Sequence, residues 1–131
     1  MNIALIAHDN KKKLMQNFCI AYRVFLSKHV LYATGTTGRL IEEVTNLTIH
    51  KALAGHLGGE QQICAQIEHN QIDLVIFLRD PLNAKKHEPD VNTAIRLCDT
   101  HNIPLATNLA SAEIMIKALD RGDFEWREVY K

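Results

Sequence analysis

The chain has 131 residues, which suits one compact domain that buries about two thirds of the surface its unfolded chain would expose. Fifteen lysine and arginine residues balance fifteen aspartate and glutamate residues. Because no net charge attracts the chain to nucleic acid or to an anionic membrane, we expect neither as a partner, and any anion site must be local.

Short apolar runs alternate with longer segments of helical periodicity, the pattern of a parallel sheet covered by helices. The first helical segment carries an apolar stripe from Leu14 to Leu26. Pro89 suits the first turn of a helix, and Pro104 suits the start of an extended strand. We expect a single doubly wound (Rossmann-like) α/β domain over residues 1–131, with helices flanking a mostly parallel sheet of about five strands. The predicted strands are residues 2–7, 29–34, 48–52, 73–78 and 103–107.

The cysteines and the two chain ends give coarser expectations. Cys19, Cys64 and Cys98 lie among apolar residues without a CxxC pairing, so we expect buried free thiols. The apolar start of the chain lacks the basic leader and cleavage site of a signal peptide, which favours a cytoplasmic protein. The segment from Phe124 to Tyr130 leaves three alternatives open: an edge strand, a cover over the core, or a contact with a neighbouring subunit.

Polar residues collect after the predicted strands. In open parallel sheets the loops after the strands meet at one edge, where ligands bind. The loop Thr34-Gly35-Thr36-Thr37-Gly38 has the composition of a phosphate cradle, because glycine lets the backbone approach an anion and threonine adds hydroxyl donors. A plain capped turn has the same composition, and neither a Walker loop nor a dinucleotide fingerprint is present. The other polar residues and glycines expected at this edge are His8, Asp9, Lys11–Lys13, Gly55, Gly58–Glu60, Asp80, His87, Asp90, Thr107 and Asn108.

Two charged residues add to the predicted cradle. Lys12 follows the first strand, where a cation would neutralise a phosphate dianion, whereas Lys11 and Lys13 fit a solvated helix face better. Glu60 lies at the start of a helix, where helix capping alone also explains a carboxylate. A phosphate cradle with carboxylates and histidines suits proton abstraction beside the carbonyl of a small phosphorylated sugar.

A metal site is an alternative interpretation of the same edge, and it would indicate a metal-dependent hydrolase. His8, Asp9, His87 and Asp90 are acceptable ligands. No HExxH motif or Cys/His ligand spacing supports them. We therefore expect no metal.

Several ordered motifs make the chain resemble the methylglyoxal synthase family, and together they cover nearly the whole chain. The resemblance implies a doubly wound α/β lyase, assembled as a homohexamer, that converts dihydroxyacetone phosphate to methylglyoxal and inorganic phosphate without a metal or organic cofactor. The matching segments are Ala7-His8-Asp9, His29 to Gly38, Gly58-Gly59-Glu60-Gln61-Gln62, Asp80-Pro81-Leu82-Asn83-Ala84, His87-Glu88-Pro89-Asp90-Val91 and Asn102 to Asn108.

The resemblance also implies roles for single residues. Glu60 matches the family's proton-abstracting carboxylate, and His87 matches the donor that polarises the substrate carbonyl. Asp9, Asp80 and Asp90 match further active-site acids that hold the histidines and the electrostatics in place. The implied substrate and phosphate contacts are His8, Lys12, Thr34, Gly35, Thr36, Thr37, Ala54 and Gly55.

Two positions depart from the family pattern. The family normally has aspartate where this chain has Glu60, and the extra methylene moves the carboxylate by roughly an ångström, a displacement that can cost about a hundredfold in rate. Glutamate can still serve as the base for this class of proton transfer, as it does in triosephosphate isomerase. The family usually has serine at the position of Ala54, so one hydroxyl donor to phosphate is missing.

A regulatory module is the second functional alternative, because carbamoyl phosphate synthetases use the same fold as a phosphate- or nucleotide-sensing domain without catalysis. Glu60 and Ala54 favour this alternative. A free-standing chain that retains His8, Asp80, His87 and Asp90 favours the enzyme.

Overall fold

A five-stranded sheet, parallel throughout, forms the centre of the computed structural model, which describes residues 1–54, 57–86 and 88–130. Its strands are β1 (Asn2–Ala7), β2 (Val30–Ala33), β3 (Ile49–Lys51), β4 (Leu74–Leu78) and β5 (Leu105–Ala106). They lie in the order β3-β2-β1-β4-β5, with Ile3 of the central strand beside both Leu31 and Leu74. Each strand falls inside a predicted segment, and the predicted fold class is confirmed.

Seven helices connect and flank the strands in the part of the chain that the structure describes. The apolar stripe predicted between Leu14 and Leu26 is carried by two helices, since the first one ends at Ala21 with Tyr22 as its C-cap. No helix within the described ranges is long and apolar enough to cross a membrane. The helices are α1 (Lys12–Ala21), α2 (Arg23–Leu26), α3 (Gly35–Thr45), α4 (Gly59–Glu68), α5 (Val91–His101), α6 (Leu109–Asp120) and α7 (Arg127–Tyr130), and a 3-10 turn (Asp9–Lys11) precedes α1.

Two hydrophobic cores lie on opposite faces of the sheet. Ile3 and Leu5 of β1 face the core formed with α1, α3 and α6. Ala4 and Ile6 face the core formed with α4 and α5. Because both faces of the central strands are covered, their sequences are continuously apolar rather than alternating.

Helix α5 begins later than its proline suggests. Asp90 is its N-cap, and the Asp90 side chain accepts a hydrogen bond from Asn92 N (3.0 Å). Pro89 therefore lies outside the helix, and the prediction that it occupies the first turn was wrong. The carbonyl oxygen of Pro89 accepts a hydrogen bond from the His8 side chain.

The C-terminal segment covers the core. Phe124 is buried in the cluster beneath α6, and the chain then forms α7. Of the three alternatives, the edge strand is therefore excluded. Val129 is 77% exposed, so this part of the segment remains open to a contact with another subunit.

All three cysteines are free thiols. Cys19 and Cys98 are buried, and burial raises their pKa to about 12. Cys64 is only partly buried, and burial together with Glu60 raises its pKa to about 11. Because the thiolate is the reactive form, these shifts disfavour the reactive state of all three cysteines at neutral pH.

A buried arginine joins several elements at the amino-terminal edge of the sheet. Arg127 pairs with Asp73 (Nε to Oδ1, 3.2 Å), and both side chains are almost fully buried. The Asp73 carboxylate also accepts from Asn2 N (2.8 Å) at the start of β1. The same guanidinium donates to Asn70 Oδ1 and to the carbonyl oxygens of Ile72, His101 and Asn102.

Candidate active site

The predicted site residues that the structure describes lie at the carboxyl edge of the sheet, where the winding direction reverses. From β1 the chain crosses to β2 on one face, and from β4 it crosses to β5 on the opposite face. The two neighbouring strands β1 and β4 mark the point of reversal, and such a point is where ligands bind in open α/β sheets. The starts of α3 and α4 reach the same edge from the neighbouring strands.

The predicted phosphate cradle is the first turn of α3. Thr34 is its N-cap but makes no side-chain capping bond. In the hydrogen-bond network of the described residues, the amides of Thr36 and Thr37 have no acceptor, whereas Gly35 N donates to Leu53 O (3.1 Å). A helix start with free amides is a ready anion site, because the N–H groups and the helix dipole both favour negative charge.

Lys12 lies directly behind this turn. Its Nζ donates to Thr37 Oγ1 (3.1 Å) and to Ala7 O (2.9 Å), and it lies 3.7 Å from Asp9 Oδ1. Burial lowers the pKa of Lys12, although Asp9 and then Glu88 act in the opposite direction. An anion bound at these amides would offset the effect of burial on Lys12, because a nearby negative charge favours the charged ammonium form.

The start of α4 is joined to the start of α3 by a short shared segment. Leu53 O accepts from Gly35 N, and Ala54 O accepts from Gly59 N (3.1 Å). A Cβ atom on Gly59 would lie 1.7 Å from Leu53 O, so only glycine permits this close approach. The preceding residue, Gly58, has a φ of 101°, a left-handed conformation that favours glycine. The turn that carries Glu60 therefore flanks the cradle.

The Glu60 carboxylate is bonded to the main chain before α5. Its Oε1 accepts from Asp90 N (2.9 Å), while its Oε2 makes no hydrogen bond within the described part of the chain. The Asp90 carboxylate caps α5. Its predicted role of orienting His87 stays a prediction. The structure thus brings Glu60 and Asp90 together through a backbone amide rather than through two side chains.

His8 links two loops and is 3% exposed. Asp80 N donates to His8 Nδ1 (2.8 Å), so the neutral ring carries its hydrogen on Nε2, which donates to Pro89 O (2.7 Å). Its ring also contacts the edge of Phe77. Both nitrogens are occupied by main-chain groups in this conformation, and the predicted phosphate contact of His8 remains a prediction.

Asp80 organises the turn after β4. Its Oδ1 accepts from the amides of Leu82 and Asn83 (3.0 Å each), and its Oδ2 accepts from the Asn10 side chain (2.8 Å). The Asn83 amide, followed by the Asn10 and Leu82 donors, lowers the pKa of Asp80. This carboxylate is therefore ionised at neutral pH, and the residue orients His8 through its own amide.

Three supporting residues were not among the predicted site residues. Glu88 accepts from Asp9 N, Asn10 binds Asp80, and Gln62 Oε1 accepts from Leu53 N (2.8 Å). All three act through loop contacts, which residue spacing does not reveal. Asp9 itself is half-exposed and lies 3.9 Å from Lys85 Nζ.

Two predicted site residues, Gly55 and His87, lie outside the described residues. Within the described ranges, no group of three histidine, cysteine, aspartate or glutamate side chains could hold a metal ion.

The sheet order and the helix starts at its edge define a doubly wound α/β domain whose carboxyl edge carries a helix start suited to an anion. A family model described as "MGS-like domain" matches residues 17–107. The chain belongs to the methylglyoxal synthase family. It is 70% identical over 129 residues to the methylglyoxal synthase of Caldicellulosiruptor saccharolyticus, covering 98% of this chain and 92% of that protein.

Two further comparisons agree with this family. The chain is 62% identical over 131 residues to the methylglyoxal synthase of Alkaliphilus metalliredigens, covering 100% of this chain and 98% of that protein. The crystal structure of methylglyoxal synthase from Elizabethkingia anophelis NUHP1 superposes with a TM-score of 0.84 at 43% identity, covering 88% of this chain and 76% of that chain. The predicted family is confirmed.

Proposed function

We propose that the protein converts dihydroxyacetone phosphate to methylglyoxal and inorganic phosphate. One observation carries the proposal, in a chain 70% identical to a methylglyoxal synthase. The amides of Thr36 and Thr37, which have no acceptor among the described residues, are backed by Lys12 and lie beside the helix start that carries Glu60. An anion grip and a carboxylate base are the two components that this reaction needs.

The phosphate group binds at the first turn of α3 in this proposal. The amides of Thr36 and Thr37, the ammonium group of Lys12 and Gly55 bind its oxygens. His8 joins these contacts when its Nε2 exchanges Pro89 O for a phosphate oxygen. Ala54 contributes only main-chain groups, so the missing hydroxyl is replaced by amides.

Glu60 removes a proton from the hydroxymethyl carbon beside the ketone. Its Oε1 is held by Asp90 N, which leaves Oε2 as the oxygen that takes the proton. The electron pair of the broken C–H bond forms the enediolate, whose oxygen accepts a hydrogen bond from His87.

A proton then moves from the hydroxyl group on the deprotonated carbon to the former ketone oxygen. The freed oxygen forms the aldehyde C=O, the C=C bond shifts to the carbon that carries the phosphate, and the C–O bond to phosphate breaks with its electron pair leaving on the phosphate. The cradle and Lys12 stabilise the charge of the departing phosphate. The resulting enol takes up a proton on carbon and becomes methylglyoxal after release. No metal or organic cofactor enters these steps.

Assembly and location complete the proposal. We infer a homohexamer, which agrees with exposed apolar side chains such as Leu82, Ile114 and Val129. We place the protein in the cytoplasm, since a reducing compartment keeps its three cysteines as free thiols. The regulatory module without catalysis is not favoured, because the relatives compared above are named as synthases.

A product assay tests the proposal. The EDTA-treated protein is incubated with dihydroxyacetone phosphate, and methylglyoxal and phosphate are measured in the same samples. We expect both products in equal amounts. Phosphate binding without product would instead support the regulatory module, and activity that EDTA abolishes would support a metal-dependent hydrolase.

A further inference from the structure

A carboxylate outside the predicted site residues joins two loops of the sheet edge. Glu88 Oε2 accepts from Asp9 N (2.7 Å), and Glu88 Oε1 accepts from Lys85 N (2.9 Å). Each oxygen is bonded to a main-chain amide, and bonds to an ionised acceptor are roughly twice as strong as neutral ones. The carboxylate thereby connects the segment after β4 to the turn after β1.

The segment before α5 is anchored at three consecutive positions. The Glu88 side chain accepts a hydrogen bond from Asp9 N, and the carbonyl oxygen of Pro89 accepts one from His8. The amide of Asp90 donates to the Glu60 side chain. Of the three side chains involved, those of His8 and Glu60 belong to the residues proposed for substrate binding and proton transfer. Among the described residues, the Glu88 side chain is hydrogen-bonded to backbone amides alone.

We propose that Glu88 is a positioning residue for the lyase reaction, because its carboxylate fixes the chain segment that follows His87 in sequence against the turn that leads to Lys12. The inference rests on the proposed function, in which His87 donates to the enediolate oxygen. Displacement of reacting groups by about an ångström can cost about a hundredfold in rate.

The position of Glu88 also affects the cation of the cradle. Its charge acts, after that of Asp9, to raise the pKa of Lys12 against the larger effect of burial. Loss of the carboxylate therefore weakens mainly the loop anchor, because Asp9, the larger of the two charges that act on Lys12, remains.

Glu88→Gln tests the proposal with little change in shape. One amide group replaces a carboxylate oxygen and faces an N–H donor, so one of the two bonds is lost. We expect kcat to fall about 10- to 100-fold, while KM and the inhibition constant of inorganic phosphate change less than about threefold, since the cradle amides are untouched. The matched control is Glu68→Gln, an exposed position near the end of α4, which should match the parent protein.

Amide hydrogen exchange in the unmodified protein gives a second test that does not depend on a variant's folding. The amides of Asp9 and Lys85 should exchange at least about tenfold more slowly than that of Lys86, which has no acceptor among the described residues. Unprotected Asp9 and Lys85 amides would overturn the proposal, as would a Glu88→Gln kcat within twofold of the parent. An inactive parent and an inactive Glu68→Gln protein would instead reject the lyase function, while exchange still tests the anchor.

Discussion

At the scale of single residues, Lys12 shows how the site conflicts with stability. Its ammonium group is largely buried behind the cradle, and burial is the main reason why its pKa is lowered. The unfolded chain holds this proton more tightly, so between the lowered pKa and the ordinary value near 10.5 it binds more protons than the folded protein. The free energy of unfolding therefore rises with pH in that window. Below the window, the buried charge costs stability.

Lys12→Met should therefore separate function from stability. We expect kcat/KM for dihydroxyacetone phosphate to fall about 10- to 100-fold, the equivalent of one charge-assisted hydrogen bond. The thermal midpoint at pH 7 should stay equal or rise, because the desolvated charge is gone. Lys13→Met, at the exposed neighbouring position, is the control and should change neither quantity. A large drop in the thermal midpoint of Lys12→Met would contradict this account.

Part of the site is predictable from residue types, and part is not. The glycine and threonine loop, Lys12 and Glu60 carry their chemistry in their identity and in their place after a strand or at a helix start. The main-chain contacts of His8 and Glu88 depend on the paths of two loops, which periodicity does not determine. The sequence therefore predicts the groups at the edge better than the bonds that hold them.

At the scale of elements, strands were predictable because both faces of the sheet are covered and the central strands are continuously apolar. β5 spans only Leu105–Ala106, yet Pro104 O and Thr107 O extend its pairing by accepting from Val75 N and Arg79 N. The break between α1 and α2 at Tyr22 was not predicted, because the apolar spacing continues through it. The late start of α5 was not predicted either, because the side-chain cap of Asp90 determines where that helix begins.

The start of α4 is an element whose geometry is set by close approach. Gly58 and Gly59 allow the helix to begin against residues 53–54, and Leu53 O also accepts a hydrogen bond from Gly35 N at the start of α3. The sequence indicates a helix start there, but the contact between two helix starts comes only from the fold. This contact is what places the carboxylate of Glu60 beside the cradle.

At the scale of the whole molecule, Arg127 joins the chain's end to the amino-terminal edge of the sheet. Its guanidinium holds the buried Asp73 carboxylate and the ends of two helices. Removing one partner of a buried pair leaves an uncompensated charge, which typically costs about 3–5 kcal/mol.

Arg127→Met should lower the free energy of unfolding by about that amount in a urea titration. The control is Arg121→Met, whose exposed pair with Asp123 should contribute less than about 1 kcal/mol. Adding Asp73→Asn to Arg127→Met should recover part of the loss, because the buried charge is then absent. Equal losses for the two arginine variants would contradict the importance of the buried pair.

The most direct test of the whole account compares Glu60→Gln with Glu60→Asp in the methylglyoxal assay. Glutamine keeps an oxygen for Asp90 N but cannot take the proton, whereas aspartate restores the residue usual in the family. We predict that kcat falls about 100- to 10,000-fold in Glu60→Gln, the usual contribution of a general base, and stays within about tenfold of the parent in Glu60→Asp. Undiminished methylglyoxal formation by Glu60→Gln would contradict the account.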